Sequence, residues 1–180
     1  MAKTVAIGVQ SFERLIEENY FYIDKTPFIK EWWESGDDVT LITRPRRFGK
    51  TLNMSMLEQF FSLDYADRGD LFEGLSIWQE EKYRELQGTY PVISLSFANI
   101  KEKDFKTTSY RIRQMLMKLY EKNSFLRKSN VLSNAEKQYF EQMASDMSEE
   151  DAPMALYQLS DFLYRYYGKK VIILLDEYDT

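Results

Sequence analysis

One segment of the chain joins a short apolar run to a basic turn and then to the tripeptide Gly49-Lys50-Thr51. The apolar run, 39–43, is rich in β-branched residues and follows two aspartates, which predicts a buried strand of a parallel sheet. The apolar residues after the tripeptide recur at helical spacing and predict a helix that ends near Leu63. They are Leu52, Met56, Leu57, Phe60 and Phe61. A strand, a tight turn and a helix that begins at Gly-Lys-Thr are typical of a phosphate-binding loop.

Each residue of the tripeptide suits phosphate chemistry. Gly49 lets the backbone approach a phosphate closely, and the free amides and dipole of a helix N-terminus favour an anion. Lys50 would reach the β- and γ-phosphates, and the Thr51 hydroxyl would ligate Mg²⁺. The usual pattern has a glycine five residues before Gly49, whereas this chain has Arg44. Taken alone, the segment could also be a solvated basic turn that caps an ordinary helix.

A second segment combines five consecutive aliphatic residues, 171–175, with the acidic pair Asp176-Glu177. The run predicts a strand buried on both faces, and the acids follow its carboxyl end, where open α/β sheets bind ligands. Asp176 suits the Mg²⁺-side carboxylate of a P-loop enzyme, and Glu177 is placed to polarise a water that attacks the γ-phosphate. Taken alone, the segment could also be a core strand before a solvated acidic turn. Together, the two segments favour a nucleotide-binding protein.

Composition excludes several kinds of site. The 180 residues, enough for one domain, contain neither cysteine nor histidine, so any acid or base must be a carboxylate, a lysine or a tyrosine. The net charge of −5 argues against a wholly basic nucleic-acid-binding domain. The chain has no signal-peptide core and no run long enough to cross a bilayer, which predicts a cytoplasmic protein without a membrane partner.

The remaining elements follow from spacing and from turn residues. Thr26 suits the N-cap position of a helix, Pro27 suits its first residue and Gly36 suits its end. The order of strand, helix, strand, helices and strand is the α/β order that builds a parallel sheet with right-handed crossovers. Besides the two segments above, the pattern predicts a strand at 90–97 and helices at 11–19, 27–35, 107–121, 134–147 and 153–167.

The basic turn holds three arginines, Arg44, Arg46 and Arg47, and Pro45 stiffens it. Guanidinium groups at this position could contact nucleotide phosphates or a nucleic-acid backbone. They could also lie partly in solvent and partly paired with nearby acids. We expect one of the three to contact the nucleotide.

Three motifs together resemble those of the AAA-ATPase-like family of bacterial P-loop proteins. They are Phe-Tyr-Ile-Asp-Lys-Thr at 21–26, Arg-Pro-Arg-Arg-Phe-Gly-Lys-Thr at 44–51 and Leu-Leu-Asp-Glu-Tyr-Asp at 174–179. The resemblance runs from about Val9 to the last residue. The second motif is specific to this family, which itself carries the variant loop with Arg44 in place of glycine.

The resemblance implies an α/β fold of the P-loop NTPase-like three-layer sandwich type, with a mainly parallel sheet. It implies one domain over 1–180, made of a family-specific segment, 1–36, and a partial nucleotide-binding core, 37–180. It also implies an ATPase that uses ATP and Mg²⁺ and a catalytic glutamate. Longer members often carry a C-terminal PD-(D/E)xK nuclease-like domain, through which nucleic acid would be a partner. The predicted site comprises the catalytic residues Lys50 and Glu177, the metal ligands Thr51 and Asp176, and the nucleotide-binding residues Arg46, Arg47, Phe48, Gly49, Lys50, Thr51 and Leu52.

ATPases of this class carry a further strand that follows the acidic strand in sequence and lies between it and the phosphate-loop strand. The chain ends four residues after Asp176, so we expect a sheet that is truncated after the acidic strand, which is the Walker B strand of such ATPases. Another copy of the chain or a C-terminal region would then complete it, and the 180 residues alone would have little ATPase activity.

The motif at 21–26 leaves its role open. Its position ahead of the loop would let Tyr22, Asp24 and Lys25 cover the adenine or pack against the loop. Asp24 and Lys25 could equally form a surface ion pair of little energetic weight.

Three functions fit these residues. The first is an ATPase that couples hydrolysis to a conformational change, and the second is a nucleotide-binding switch or interaction module without significant turnover. The third is a small-molecule kinase that shares the same loop. The adjacent Asp176-Glu177 pair favours the ATPase, because a kinase also needs a site for the substrate hydroxyl.

Overall fold

The computed structural model describes residues 3–43, 45, 48–102 and 104–177. The chain divides into two compact units, Met1–Val92 and Ile93–Thr180. Helices and strands are mixed, and a parallel pair of strands forms a small sheet, which confirms the α/β character. The assignment of 1–180 to a single domain stays a prediction, as does the three-layer sandwich.

The first unit is built from helices and short 3-10 turns around an aromatic core. The ring of Phe72 packs against those of Phe12 and Phe60, with centroids 5.2 and 5.1 Å apart. All three side chains are fully buried. Aromatic rings bury large apolar areas, so this cluster fixes the helix that carries Phe60. The helices are α1 Phe12–Glu17, α2 Pro27–Ser35, α3 Lys50–Phe61 and α4 Glu81–Leu86, with 3-10 turns at Leu63–Tyr65, Gly69–Phe72 and Ser76–Gln79.

Helix α2 has the predicted bounds, and both of its ends have the predicted causes. Pro27 occupies the first turn, and Gly36 ends the helix in the left-handed conformation, with φ 67°. Thr26 holds the N-cap position but makes no capping bond to the helix. Its hydroxyl instead donates to Asp24 and accepts from the amide of Ile77, so the buried threonine ties the helix to a neighbouring turn.

The second unit packs three long helices and a 3-10 turn against strand β1. Asp104 caps the first of these helices, and Ser133 with Glu136 forms a capping box on the next. Ile93 and Leu95 of β1 enter a core formed with these helices. The elements are β1 Val92–Ser96, α5 Phe105–Lys122, a 3-10 turn at Ser124–Lys128, α6 Asn134–Ser145, α7 Ala152–Tyr167 and β2 Ile172–Asp176.

The predicted strand at 39–43 is wrong. These residues have no regular secondary structure, and the side chains of Val39 and Leu41 are 87% and 62% exposed. A β-branched run becomes a strand only where a partner supplies the ladder of hydrogen bonds, and none of the described residues pairs with it.

The strand β2 is confirmed, but its predicted burial on both faces is wrong. Leu174 is buried, whereas Ile173 and Leu175 on the opposite face are each 42% exposed. Side chains alternate along a strand, so the two strands have one face toward the core and leave the other face uncovered among the described residues.

Candidate functional site

The tripeptide Gly49-Lys50-Thr51 lies where a turn meets helix α3. The amide of Phe48 donates to the carbonyl of Pro45 at 3.4 Å, which forms the turn. Gly49 then takes the left-handed conformation, with φ 76° and ψ 24°, and its carbonyl accepts the first helical bond from Asn53. A residue with a Cβ is strained in that conformation, which explains why the junction needs a glycine.

In the described part of the chain, no side chain caps the amides in the first turn of α3. Lys50 and Thr51 are the first two residues of the helix, and both are half-buried. Among the described residues, none provides a side-chain cap for this helix. Its N–H groups therefore point away from the helix with the positive end of the helix dipole behind them, an arrangement that attracts an anion.

The structure locates part of the predicted nucleotide-binding set. Phe48, Gly49, Lys50, Thr51 and Leu52 form the turn and the start of α3. Three more loop residues lie outside the described residues, namely Arg44, Arg46 and Arg47. Their contact with phosphate stays a prediction.

Asp24 fastens the motif at 21–26 to a neighbouring turn. One carboxylate oxygen accepts from the amide and hydroxyl of Thr26, at 2.8 and 2.6 Å. The other accepts from the amide and hydroxyl of Ser76, also at 2.8 and 2.6 Å. Four donors thus occupy Asp24, and no ion pair with Lys25 occurs within the described part of the chain, so the structure does not favour that alternative for the motif.

Tyr22 fastens the same motif to α3. Its hydroxyl donates to the sulfur of Met56 at 3.4 Å and accepts from the backbone amide of Lys25 at 3.1 Å. Its ring also meets Phe12 edge to face, with centroids 5.5 Å apart. Burial raises the pKa of Tyr22 to about 12, so the hydroxyl keeps its proton at neutral pH.

Lys25 lies beside the phosphate-loop glycine. A Cβ built on Gly49 would have the Lys25 Nζ as its nearest neighbour, at 3.6 Å. Within the described residues, no carboxylate comes close enough to the ammonium group to form an ion pair. The motif therefore packs against the loop, which was one of the expected roles.

The hydrogen bonds to the Asp24 carboxylate make the stability of the fold depend on pH. Burial acts to raise the pKa of Asp24, but the hydrogen bonds from Ser76 and Thr26 outweigh it and hold the pKa below the ordinary value. A lowered folded-state pKa stabilises the fold above the unfolded-state pKa, and that contribution is lost as the pH falls through the folded-state value.

Replacement of Asp24 by asparagine should therefore lower stability at pH 7 by about 1 to 3 kcal/mol, because two donors would face the amide nitrogen. It should also flatten the decline of stability in acid. Urea unfolding at pH 7 and across the acid range would measure both effects. Asp67→Asn, at an exposed aspartate of the same unit, is the matched control. Equal losses in the two variants would show that the Asp24 bonds contribute nothing.

The predicted acidic residues follow the core strand of the second unit. Asp176 is the last residue of β2, and its carbonyl accepts the amide of Phe97 at 2.9 Å. Glu177 comes next with φ 55°, a left-handed conformation that is unusual for glutamate. Such outliers concentrate at functional sites, where the surrounding structure maintains them.

The predicted site residues thus form two groups, one in each unit. Gly49, Lys50 and Thr51 lie at the start of α3 with Lys25 beside them, and Asp176 and Glu177 lie at the end of β2. The sequence identified Lys25 only as part of the motif at 21–26, which could cover the adenine or pack against the loop, and assigned it no phosphate contact.

A Gly-Lys-Thr helix start and an aliphatic strand that ends in Asp-Glu are the residue set of a P-loop protein. Comparison with known proteins gives the family of the chain. The chain belongs to the AAA-ATPase-like family, described as predicted AAA-ATPases, whose family model matches residues 6–180.

A curated relative extends the comparison without adding an activity. The chain is similar to an uncharacterised protein encoded in the vnfD 5′ region of Azotobacter chroococcum mcd 1, with 32% identity over 115 residues. The match covers 63% of this chain and 21% of the relative, so the chain spans about a fifth of the relative's length. No solved structure matches the chain significantly. In the described part of the chain, no helix combines the length and apolar character needed to cross a bilayer.

Proposed function

We propose that the chain is the ATP-binding P-loop part of an Mg²⁺-dependent ATPase that couples hydrolysis to a conformational change. One observation carries the proposal. Helix α3 begins at a left-handed glycine, lacks a side-chain cap among the described residues, and places Lys50 and Thr51 in its first turn. The membership in a family of predicted AAA-ATPases supports the same function.

The residues at the start of α3 suit a triphosphate. The exposed amides would donate to phosphate oxygens, and Gly49 would let the backbone approach without a side chain in the way. Lys50 would pair with the β- and γ-phosphates as a positive charge. Phosphoryl transfer depends on such positioning and charge stabilisation, which needs neither cysteine nor histidine.

The motifs also supply the metal ligands and the general base of the proposed ATPase. Thr51 and Asp176 are the residues that would hold Mg²⁺, which would supply positive charge to neutralise the phosphates. Both are oxygen donors, the ligand type that Mg²⁺ prefers. Glu177 would accept a proton from the attacking water.

Replacement of Lys50 by alanine should weaken Mg·ATP binding by about tenfold to a hundredfold, the loss expected for hydrogen bonds between charged groups. Calorimetry with Mg·ATP and Mg·GTP would measure it and would also decide between the two nucleotides. Gly49, not Lys50, holds the N-cap position of α3, and alanine is a strong helix former, so the variant should keep its unfolding midpoint.

A matched control is Lys128→Gln, which removes an exposed lysine of the second unit. Its affinity for Mg·ATP should equal that of the wild-type chain. Equal affinity of the wild-type chain and Lys50→Ala would remove the phosphate loop from the proposal, and absence of binding by the wild-type chain would overturn the proposal itself.

A further inference from the structure

We propose that Lys25 is a second phosphate-binding lysine of the loop, held in place by Tyr22 and Asp24. The inference rests on the proposed nucleotide-binding function and adds a binding residue to it. The ligand group that Lys25 would contact is the β- or γ-phosphate of a nucleoside triphosphate.

The position of the ammonium group is the first argument. The Lys25 Nζ is the nearest atom to a Cβ built on Gly49, at 3.6 Å. Gly49 immediately precedes the helix whose free amides and Lys50 form the proposed phosphate site. An ammonium group at this glycine is therefore within reach of a phosphate that sits on the same amides.

The local charge is the second argument. The N-terminus of a helix carries a partial positive charge and disfavours a cation nearby. Lys25 nevertheless lies there together with Lys50, and among the residues that the structure describes no carboxylate pairs with its ammonium group. A lysine that adds its positive charge to this helix end, next to the residue that begins the helix with a second lysine, favours an anion with several charges.

The anchoring of the Lys25 backbone is the third argument. The Tyr22 hydroxyl accepts the Lys25 amide and contacts Met56 of α3, which fixes the motif against the helix that bears the site. Asp24 and Thr26, on either side, bind the turn at Ser76–Gln79. The Lys25 side chain is exposed, whereas the side chains of Tyr22, Asp24 and Thr26 form hydrogen bonds that anchor the motif. The ammonium group is therefore accessible to a ligand while its backbone is held in place.

This assignment gives Tyr22 and Asp24 the role of positioning residues. Their side chains contact the backbone and neighbours of Lys25 and the adjoining turn, and neither approaches Gly49 as the ammonium group does. The motif at 21–26 then serves the nucleotide through its lysine. Covering of the adenine, the other expected role, needs no charge at position 25.

The test compares nucleotides that differ in phosphate number. Lys25→Gln should weaken Mg·ATP binding by about tenfold, the loss expected for one charge-assisted hydrogen bond, and should leave AMP binding nearly unchanged. Lys25→Arg should restore most of the ATP affinity, because a guanidinium also binds phosphate. Calorimetry or a fluorescent-nucleotide competition assay would give these affinities, with Lys128→Gln as the matched control.

The outcomes separate this inference from the proposed function. If Lys50→Ala weakens ATP binding while Lys25→Gln binds ATP like the wild-type chain, the inference is overturned and the phosphate loop stands. Equal losses for ATP and AMP in Lys25→Gln would show a general disturbance of the motif and would also overturn the inference. Absence of nucleotide binding by the wild-type chain would overturn both.

Discussion

Glu177→Gln should keep Mg·ATP binding and lower ATP turnover by about 10²- to 10⁴-fold, the usual contribution of a positioned general base. Glutamine preserves the size of the side chain and most of its hydrogen bonding, but it cannot accept the proton of the attacking water. The left-handed backbone at Glu177, with φ 55°, is the same for both side chains, so folding should be little affected. Phosphate release by the native protein and calorimetry with Mg·ATP would measure turnover and binding.

A matched control is Glu150→Gln, which changes an exposed glutamate of the same unit. Turnover by this variant should equal that of the wild-type protein. If Glu177→Gln hydrolyses ATP as fast as the control, Glu177 is not the base.

The same experiment separates the three functions that fit the sequence. A nucleotide-binding switch would behave alike with either residue, because binding alone would carry its function. A small-molecule kinase would turn over ATP only with an added acceptor. An ATPase would lose hydrolysis in Glu177→Gln without any acceptor being involved.

The helices were predictable because their signals are local. Helix α2 begins at Pro27 and ends before Gly36, as predicted, since each residue fixes the backbone torsion at its own position. Helices α5 and α7 likewise fall within two residues of their predicted bounds, and their apolar faces enter the core of the second unit. Local chemistry of this kind needs no information about distant parts of the chain.

The strands were less predictable because a strand depends on partners that are distant in sequence. The run at 39–43 has strand composition, yet Val39 and Leu41 are exposed and unpaired within the described residues. The run at 171–175 is also rich in β-branched residues, and strand β2, which it forms, pairs with β1. A β-branched composition predicts a strand in both runs, but the hydrogen-bond ladder decides which run becomes one.

The residues of the candidate site also differ in how well the sequence predicts them. Gly49, Lys50 and Thr51 were predictable, because a phosphate loop is contiguous in sequence. The sequence left two roles open for Lys25, because its place beside Gly49 depends on the bonds that Asp24 makes with Ser76, 52 residues away. A contact at that separation shows no periodicity or spacing that a single sequence could reveal.

Gly88→Ala should be the most destabilising glycine replacement in the first unit, with a loss of about 2 to 5 kcal/mol from steric overlap and left-handed strain together. Gly88 has φ 66°, and a Cβ there would lie 2.4 Å from the backbone Cα of Ala66. Its amide also donates to the carbonyl of Phe60 in α3 at 2.8 Å, so the backbone cannot move aside without breaking that bond. Urea unfolding would measure the loss.

Gly74→Ala is the matched control, because Gly74 has φ 78° and a Cβ there would meet nothing within 4 Å. Only the left-handed strain remains, so the expected loss is about 1 to 2 kcal/mol. The difference in stability between the two variants isolates the packing of Gly88 against Ala66. If Gly88→Ala fails to fold while Gly74→Ala folds, the prediction is also confirmed, with a larger loss than expected. Equal losses would show that the turn relaxes freely and that Phe60, and with it the end of α3, is not held by this contact.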